Sequence, residues 1–315
     1  MTSVVAIAGG TSGWGRTLIE QLREETDKFQ IIVLTRGEPR EEEHVKYVQV
    51  DYDDIPALAA KLDHYLVQVV ISVIGIYEES SSEAQFNLIE AADMSRAVQK
   101  FIPSEYSYNT DAKYLEIDPG VKWWLKAAQR LKNSGLQYTR IFFGAFMDFL
   151  GLPNVRTNIK SLHVSLIDTV KGRALVPGDG SAIWSLTYSY DAATFIVKLL
   201  DLDEWPEYSC CVGDDIDFIT TMKEVENAYN RNLQVTHIDA DDINTGKTTK
   251  VEAALLDCNY SDFSKEDLIG FVMFGGQLLL SGSLHVPREY RLDEKQLGFK
   301  PMSLREFLSK TQGGG

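Results

Sequence analysis

The run Gly9-Gly10-Thr11-Ser12-Gly13-Trp14-Gly15-Arg16 has residue types and a spacing suited to holding a phosphate. Gly9 lets the chain turn sharply, Gly13 lets backbone approach an anion with no side chain between, and Gly15 lets a following helix lie close to a sheet. The free N–H groups and the positive end of that helix would then face a dinucleotide pyrophosphate, with Thr11, Ser12, Trp14 and Arg16 along it. A second chemical position is Thr35-Arg36-Gly37. In a dinucleotide-binding fold an acidic residue about 20 residues after the glycines favours NAD, whereas an arginine accommodates the 2′-phosphate of NADP. No carboxylate stands there, so Arg36, with Arg40 as a second cation, predicts NADP(H). Asp51-Tyr52 is expected beside the adenine, or Asp51, with Asp53 and Asp54, at the start of a helix near Pro56.

These positions need elements to hold them. An apolar strand from Val4 to Ala8 precedes the glycines, and Leu18, Ile19 and Leu22 follow at helical spacing. Further strands are predicted over 30–34, 45–50, 66–74, 100–102 and 136–143, with helices near Pro56 and over 84–98 and 121–133. The run 66–74 is apolar nearly throughout, as suits a central parallel strand, and its end at Val73 and Gly75 falls in the ligand crevice. The alternation predicts an α/β fold, a doubly wound parallel sheet of Rossmann type. The acidic run Glu41-Glu42-Glu43 reads as a solvated loop. Beyond about residue 154 the alternation weakens. Strands are predicted near 174–177, 183–187, 208–212 and 234–238. Helices are predicted over 190–202 with Ser189 as its cap, and over 220–229, 248–256, 264–280 and 303–309. Residues 1–150 are expected to bind the dinucleotide, with 181–202 returning to them, and 151–315 to form a smaller α+β substrate lobe.

The 315 residues carry a net charge of −15, which excludes an electrostatic footprint for nucleic acid or an anionic membrane. Cofactor phosphates must then be met by backbone amides and a few arginines. The three cysteines, Cys210, Cys211 and Cys258, form no C-x-x-C and read as reduced thiols of a cytoplasmic protein. The five histidines lack ligand spacing, so no metal site is expected. No apolar run reaches ~18 residues, and the strand at Val4 leaves no room for a signal peptide.

Phe101-Ile102-Pro103-Ser104-Glu105-Tyr106 resembles the F-x-P-S-E-F segment of NmrA-like proteins, the atypical short-chain dehydrogenases that include isoflavone reductase and phenylcoumaran benzylic ether reductase. The resemblance extends to Val70-Ile71-Ser72-Val73-Ile74-Gly75, to Gln85 with Leu88-Ile89-Glu90-Ala91-Ala92, to Gly135-Leu136-Gln137-Tyr138-Thr139, and to Gly178-Asp179-Gly180 followed by Asp191. It implies a cofactor site that also takes in Val73, Gly75, Gln85, Pro103 and Ser104. Two departures stand out. The glycines are spaced Gly9-x-x-x-Gly13-x-Gly15 rather than G-G-x-G-x-x-G. The reductases' lysine on the helix before the sixth strand aligns with Trp124, flanked by Lys122 and Lys126. Those two lysines share one helix face, and Trp124 is expected to point elsewhere.

The resemblance implies an NADPH-dependent reductase of a small aromatic or polyketide-like secondary metabolite, acting on a carbonyl, enone or benzylic ether. The nicotinamide would supply hydride. The proton would come from Lys122 or Lys126, its pKa lowered by burial, or from Tyr106 or Tyr108. Ser104 and Glu105 are expected to hold the loop or the ribose. Phe143, Phe146, Met147 and Phe149, with Tyr108, would wall the substrate. The alternatives are a dinucleotide sensor like NmrA, with a protein partner, and a redox-neutral isomerase. The expected state is a monomer or homodimer.

Overall fold

Strands β1 (Ser3–Ala8), β2 (Phe29–Thr35), β3 (Arg40–Glu42), β4 (Val45–Gln49), β5 (Val69–Ser72), β6 (Lys100–Ile102) and β7 (Gln137–Tyr138) join in one seven-stranded sheet, ordered β3-β4-β2-β1-β5-β6-β7. This computed structural model describes residues 2–11, 13–76, 78–159, 166–255 and 263–311. Every pairing in the sheet is parallel except β3 with β4. The apolar runs of β1, β2 and β5 are buried because both faces are covered. Val5 and Ile7 share one core with Ile31, Val33 and Ile71. Ala6 and Ala8 share the opposite core with Ile32, Leu34 and Val70.

Helix α1 (Gly13–Arg23) covers the first face through Leu18 and Leu22. Helices α2 (Ile55–His64), α3 (Glu79–Met94) and α4 (Val121–Lys132) cover the second through Leu58, Leu62, Phe86, Ala127 and Leu131. The chain runs outward from β1 to β2 and β4, then returns to β5. The order therefore reverses between β1 and β5, where a crevice opens at the strands' carboxyl ends. Asp54 caps α2, its carboxylate accepting from the Ala57 N–H at 3.0 Å, as the sequence suggested.

The rest of the chain contributes β8 (Ala145–Phe146), α5 (Asp148–Gly151), β9 (Ile167–Asp168), β10 (Arg173–Pro177), β11 (Ile183–Thr187), α6 (Ser189–Leu199), β12 (Asp214–Asp217), α7 (Phe218–Tyr229) and β13 (Gln234–Ile238). These are followed by α8 (Ala240–Asn244), α9 (Thr249–Ala254), α10 (Lys265–Ser281), α11 (Glu294–Leu297) and α12 (Leu304–Thr311). Two three-stranded sheets result, β13-β10-β9 and β12-β11-β8. Helix α6 packs on α1, placing Phe195 and Ile196 in the core of Val5 and Ile7. Among the described residues no helix is long and apolar enough to cross a membrane.

Several expectations need correction. No helix joins β2 to β4. Glu41 and Glu42, expected in a loop, belong instead to β3, an exposed and charged edge strand of the kind that blunts a sheet edge. Helix α3 begins at Glu79 rather than at 84, under a capping box between Glu78 and Ser81. The strand expected over 136–143 pairs in the sheet only at Gln137–Tyr138, and Arg140 turns away to bridge Tyr208. The strand expected over 208–212 amounts to isolated bridges, Arg140 with Tyr208 and Cys210 with Arg291. Ser189 does not cap α6. Its hydroxyl donates to Asp148 Oδ1 at 2.6 Å, and Tyr188 holds the cap position.

Candidate functional site

The turn between β1 and α1 is built as its glycines require. Gly9 has φ +88°, and a Cβ there would lie 2.6 Å from the Val73 carbonyl oxygen. A Cβ at Gly15 would lie 2.8 Å from Gly10 Cα and Gly9 O, so α1 could not approach the turn. Space in front of Gly13 is open, with no atom within 4 Å of a Cβ built there. The first turn of α1 thus presents its unpaired N–H groups to a free face.

This face opens on a cleft of about 940 Å³ over the carboxyl ends of β1, β2, β4 and β5. Gly9, Thr11, Gly13, Trp14, Gly15, Arg36, Asp51, Val73 and Gly75 all line it. Ser12 lies outside the described residues. Gln85, Pro103 and Ser104 are not part of the lining. Gln85 is buried, and its Oε1 accepts the Ser104 N–H at 2.8 Å, so it fixes the loop after β6 from behind. The lining also includes Thr35, Tyr52 and Asp53, which stand beside the expected positions, and the start of α3 at Glu78, Ser80, Ser81 and Glu83, which sequence reasoning passed over. The Glu- and Ser-rich run 78–83 was the available signal, as a helix start.

Arg36 lies at the end of the cleft over β2 and β4, exposed, and is the one cation among the described lining residues. Beside it the Tyr52 hydroxyl donates to the Leu34 carbonyl at 3.4 Å. Burial pushes that phenol's pKa up, against the opposing pull of the Arg36 charge. Arg40 does not share the role. Its guanidinium stacks 3.7 Å over the Tyr47 ring and pairs with Glu42 at 3.2 Å.

The expected proton donors are placed otherwise than the sequence suggested. Lys122 and Lys126 are exposed. The first lies 4.3 Å over the Trp123 ring, and the second pairs with Glu83 at 3.2 Å. It is Trp124 that faces inward, its Nε1–H donating to the Ser104 carbonyl at 2.7 Å. Tyr106 is buried among Trp14 and Phe143, and its hydroxyl donates to the Ser72 carbonyl at 2.8 Å. Burial and then the Glu105 charge hold its pKa well above the ordinary phenol range. Tyr108 donates to Asp118 Oδ2, and burial followed by that carboxylate raises its pKa too. Of the expected substrate walls, Phe143 and Met147 are fully buried core. Phe146 is half-buried and lies 5.5 Å from the Trp14 ring.

Glu105 does hold the loop. Its carboxylate accepts from Arg140 Nη2 at 2.8 Å and Nε at 3.0 Å, and from Thr110 Oγ1 at 2.8 Å. Arg140 donates further to the Tyr208 hydroxyl at 2.6 Å. Sequence reasoning missed Arg140, since a lone arginine in an apolar run gives no partner away.

A family profile described as NAD(P)H-binding matches residues 9–164. "Oxidoreductase BOA1" of Botryotinia fuckeliana is 32% identical over 213 residues, covering 67% of this chain and 70% of that protein. The chain belongs to the isoflavone reductase-like family of NAD(P)H-binding oxidoreductases. Solved pinoresinol-lariciresinol and phenylcoumaran benzylic ether reductases share the fold, with a TM-score of 0.73 at 18% identity over 99% of both chains. The NADPH complex of leucoanthocyanidin reductase from Vitis vinifera has a TM-score of 0.71 at 14% identity, over 98% of this chain and 99% of that one. The fold agrees with the doubly wound sheet read from the sequence.

Proposed function

We propose that the protein is an NADPH-dependent reductase of a small, ring-bearing molecule. The observation that carries this reading is Arg36, the one described cation lining a cleft that otherwise offers Asp51 and Asp53 at its adenosine end. A guanidinium fork matches a 2′-phosphate, and no carboxylate on Thr35 or Gly37 competes for it. The NADPH of the leucoanthocyanidin reductase complex supports the same cofactor here. Bound, that cofactor would supply hydride. The chain's part is to seat the pyrophosphate on Gly13 and the first turn of α1, and to bring a substrate to the carboxyl ends of β5 and β6.

The test is calorimetric titration with NADPH, NADP+, NADH and NAD+. Arg36→Ala is expected to weaken NADPH binding about 10- to 150-fold, the ~1.5–3 kcal/mol of a charge-assisted contact, and NADH binding far less. Equal losses for both refute the assignment. A second reading, a dinucleotide sensor without turnover, is favoured by the engagement of the Tyr106, Tyr108 and Trp124 donors within the protein. Tighter binding of NADP+ than of NADPH would support the sensor.

A further inference from the structure

The first turn of α1 carries an indole into the cleft. Trp14 lines the cleft wall and is half-buried. Its ring lies 5.4 Å from that of Tyr106, which follows β6, 5.5 Å from Phe146 of β8 and 5.9 Å from Phe143. Trp14 therefore stands on the β5 and β6 side of the glycine turn, whereas Arg36 stands at the end over β2 and β4. With the 2′-phosphate at Arg36 and the pyrophosphate on Gly13, as read above, the nicotinamide falls on the Trp14 side. Arg36 is the one cation among the described lining residues, so none of them opposes a positive charge there.

Two facts bear on what the indole meets. First, the Trp14 Nε1–H is buried and has no acceptor among the described residues. An unpaired buried donor lowers stability, and a phenylalanine could pack on Tyr106, Phe143 and Phe146 without one. What the indole offers beyond a phenyl ring is its face, the best aromatic partner for a cation. Second, the two forms of the cofactor differ in charge at the nicotinamide. The oxidised ring is a pyridinium cation and the reduced ring is neutral.

We propose, resting on the NADP(H) assignment above, that Trp14 discriminates the redox state of the cofactor. Its indole face lies against the nicotinamide and adds more to the binding of the cationic ring of NADP+ than to that of the neutral ring of NADPH. Tyr106, Phe143 and Phe146 fix the indole's position. NADP+ is then retained as an inhibitor, and occupancy of the cleft follows the ratio of the two forms rather than NADPH alone.

The test is calorimetric titration of wild type, Trp14→Leu and Trp14→Phe with NADP+ and with NADPH. Trp14→Leu is expected to raise the Kd for NADP+ about 3- to 30-fold more than the Kd for NADPH, with Trp14→Phe between it and wild type. The comparison is of variant with wild type, so it holds whichever form wild type binds more tightly. Equal losses for the two forms, or a larger loss for NADPH, overturn the proposal. A second measurement needs no variant to fold. NADP+ does not absorb where tryptophan emits, so it quenches an indole by contact, and none of the other four tryptophans lines the cleft. NADP+ should therefore quench the fluorescence of wild type, and adenosine 2′,5′-bisphosphate, which lacks the nicotinamide, should not. Quenching by NADP+ no greater than by the bisphosphate also overturns the proposal. Absence of binding of either form to wild type would instead overturn the NADP(H) assignment itself.

Discussion

Replacing Glu105 with Gln tests whether the loop carrying Tyr106 and Tyr108 is held by a buried charge pair. Glu105 is 3% exposed and Arg140 4%. In wild type the carboxylate accepts from Arg140 at 2.8 and 3.0 Å and from Thr110 at 2.8 Å. Glutamine keeps one acceptor oxygen and turns an NH2 group toward a guanidinium that can only donate. Burial disfavours the charged guanidinium, but the Glu105 charge and hydrogen bonds, with Tyr208 and Glu207 beside them, together outweigh it and raise the Arg140 pKa. Without that charge, a buried cation lacks its counterion, at a cost of ~3–5 kcal/mol. Unfolding entropy of ~2.1 cal/mol/K per residue over 315 residues converts each kcal/mol to about 1.5 °C in Tm. The expected fall is therefore about 5–8 °C by circular dichroism. NADPH affinity should stay within threefold, since neither residue lines the cleft. The paired change Glu105→Leu with Arg140→Met should recover at least half of the loss, because it removes both charges together. A single-variant fall below about 2 °C, or a double variant no better than Glu105→Gln, would refute the buried-charge argument.

Two further outcomes follow from the same geometry. Tyr106→Phe removes one buried hydrogen bond, to Ser72, and should cost ~1–2 kcal/mol, or about 2–3 °C, while NADPH affinity stays within threefold because Tyr106 does not line the cleft. A Tm fall below about 1 °C would refute the contribution assigned to that buried hydrogen bond. Asp215 is pushed up by burial but held below its ordinary value of 3.8 by hydrogen bonds from Arg291 and Ser185. A lowered carboxylate pKa contributes stability that is present above that value and lost as pH falls through the folded one. The urea-unfolding gap between wild type and Asp215→Asn should therefore close as pH drops below 3.8, and a gap constant with pH would refute the pairing.

The large sheet was legible because its signals are local. The apolar runs of β1, β2 and β5 stop at Gly9, Arg36 and Gly75, and each stop falls at the cleft. Glu105 was legible as a holding residue, but Arg140 was not, because a buried ion pair between residues 35 apart leaves no periodic trace. β12 was missed for the opposite reason. Asp214-Asp215-Ile216-Asp217 reads as a turn, yet Asp215 is neutralised by Arg291 at 2.8 Å and Asp217 caps α7 through the Thr220 N–H. Acids with tertiary partners lose the solvation that makes such runs loops.

Helix α4 shows how a correct local rule led to the wrong face. Lys122 and Lys126 do share one side, as their spacing requires. The question was which side, and the apolar period answers it. Val121, Ala127 and Leu131 are fully buried, and Trp124 stands one turn from Val121 on that inner stripe. A helix anchored on 121, 127 and 131 must turn 122 and 126 outward, so Lys126 meets Glu83 and Trp124 meets Ser104. The inward position is thus held by a ring whose N–H is already spent. Any reaction beside it must do without a protonated amine from this helix.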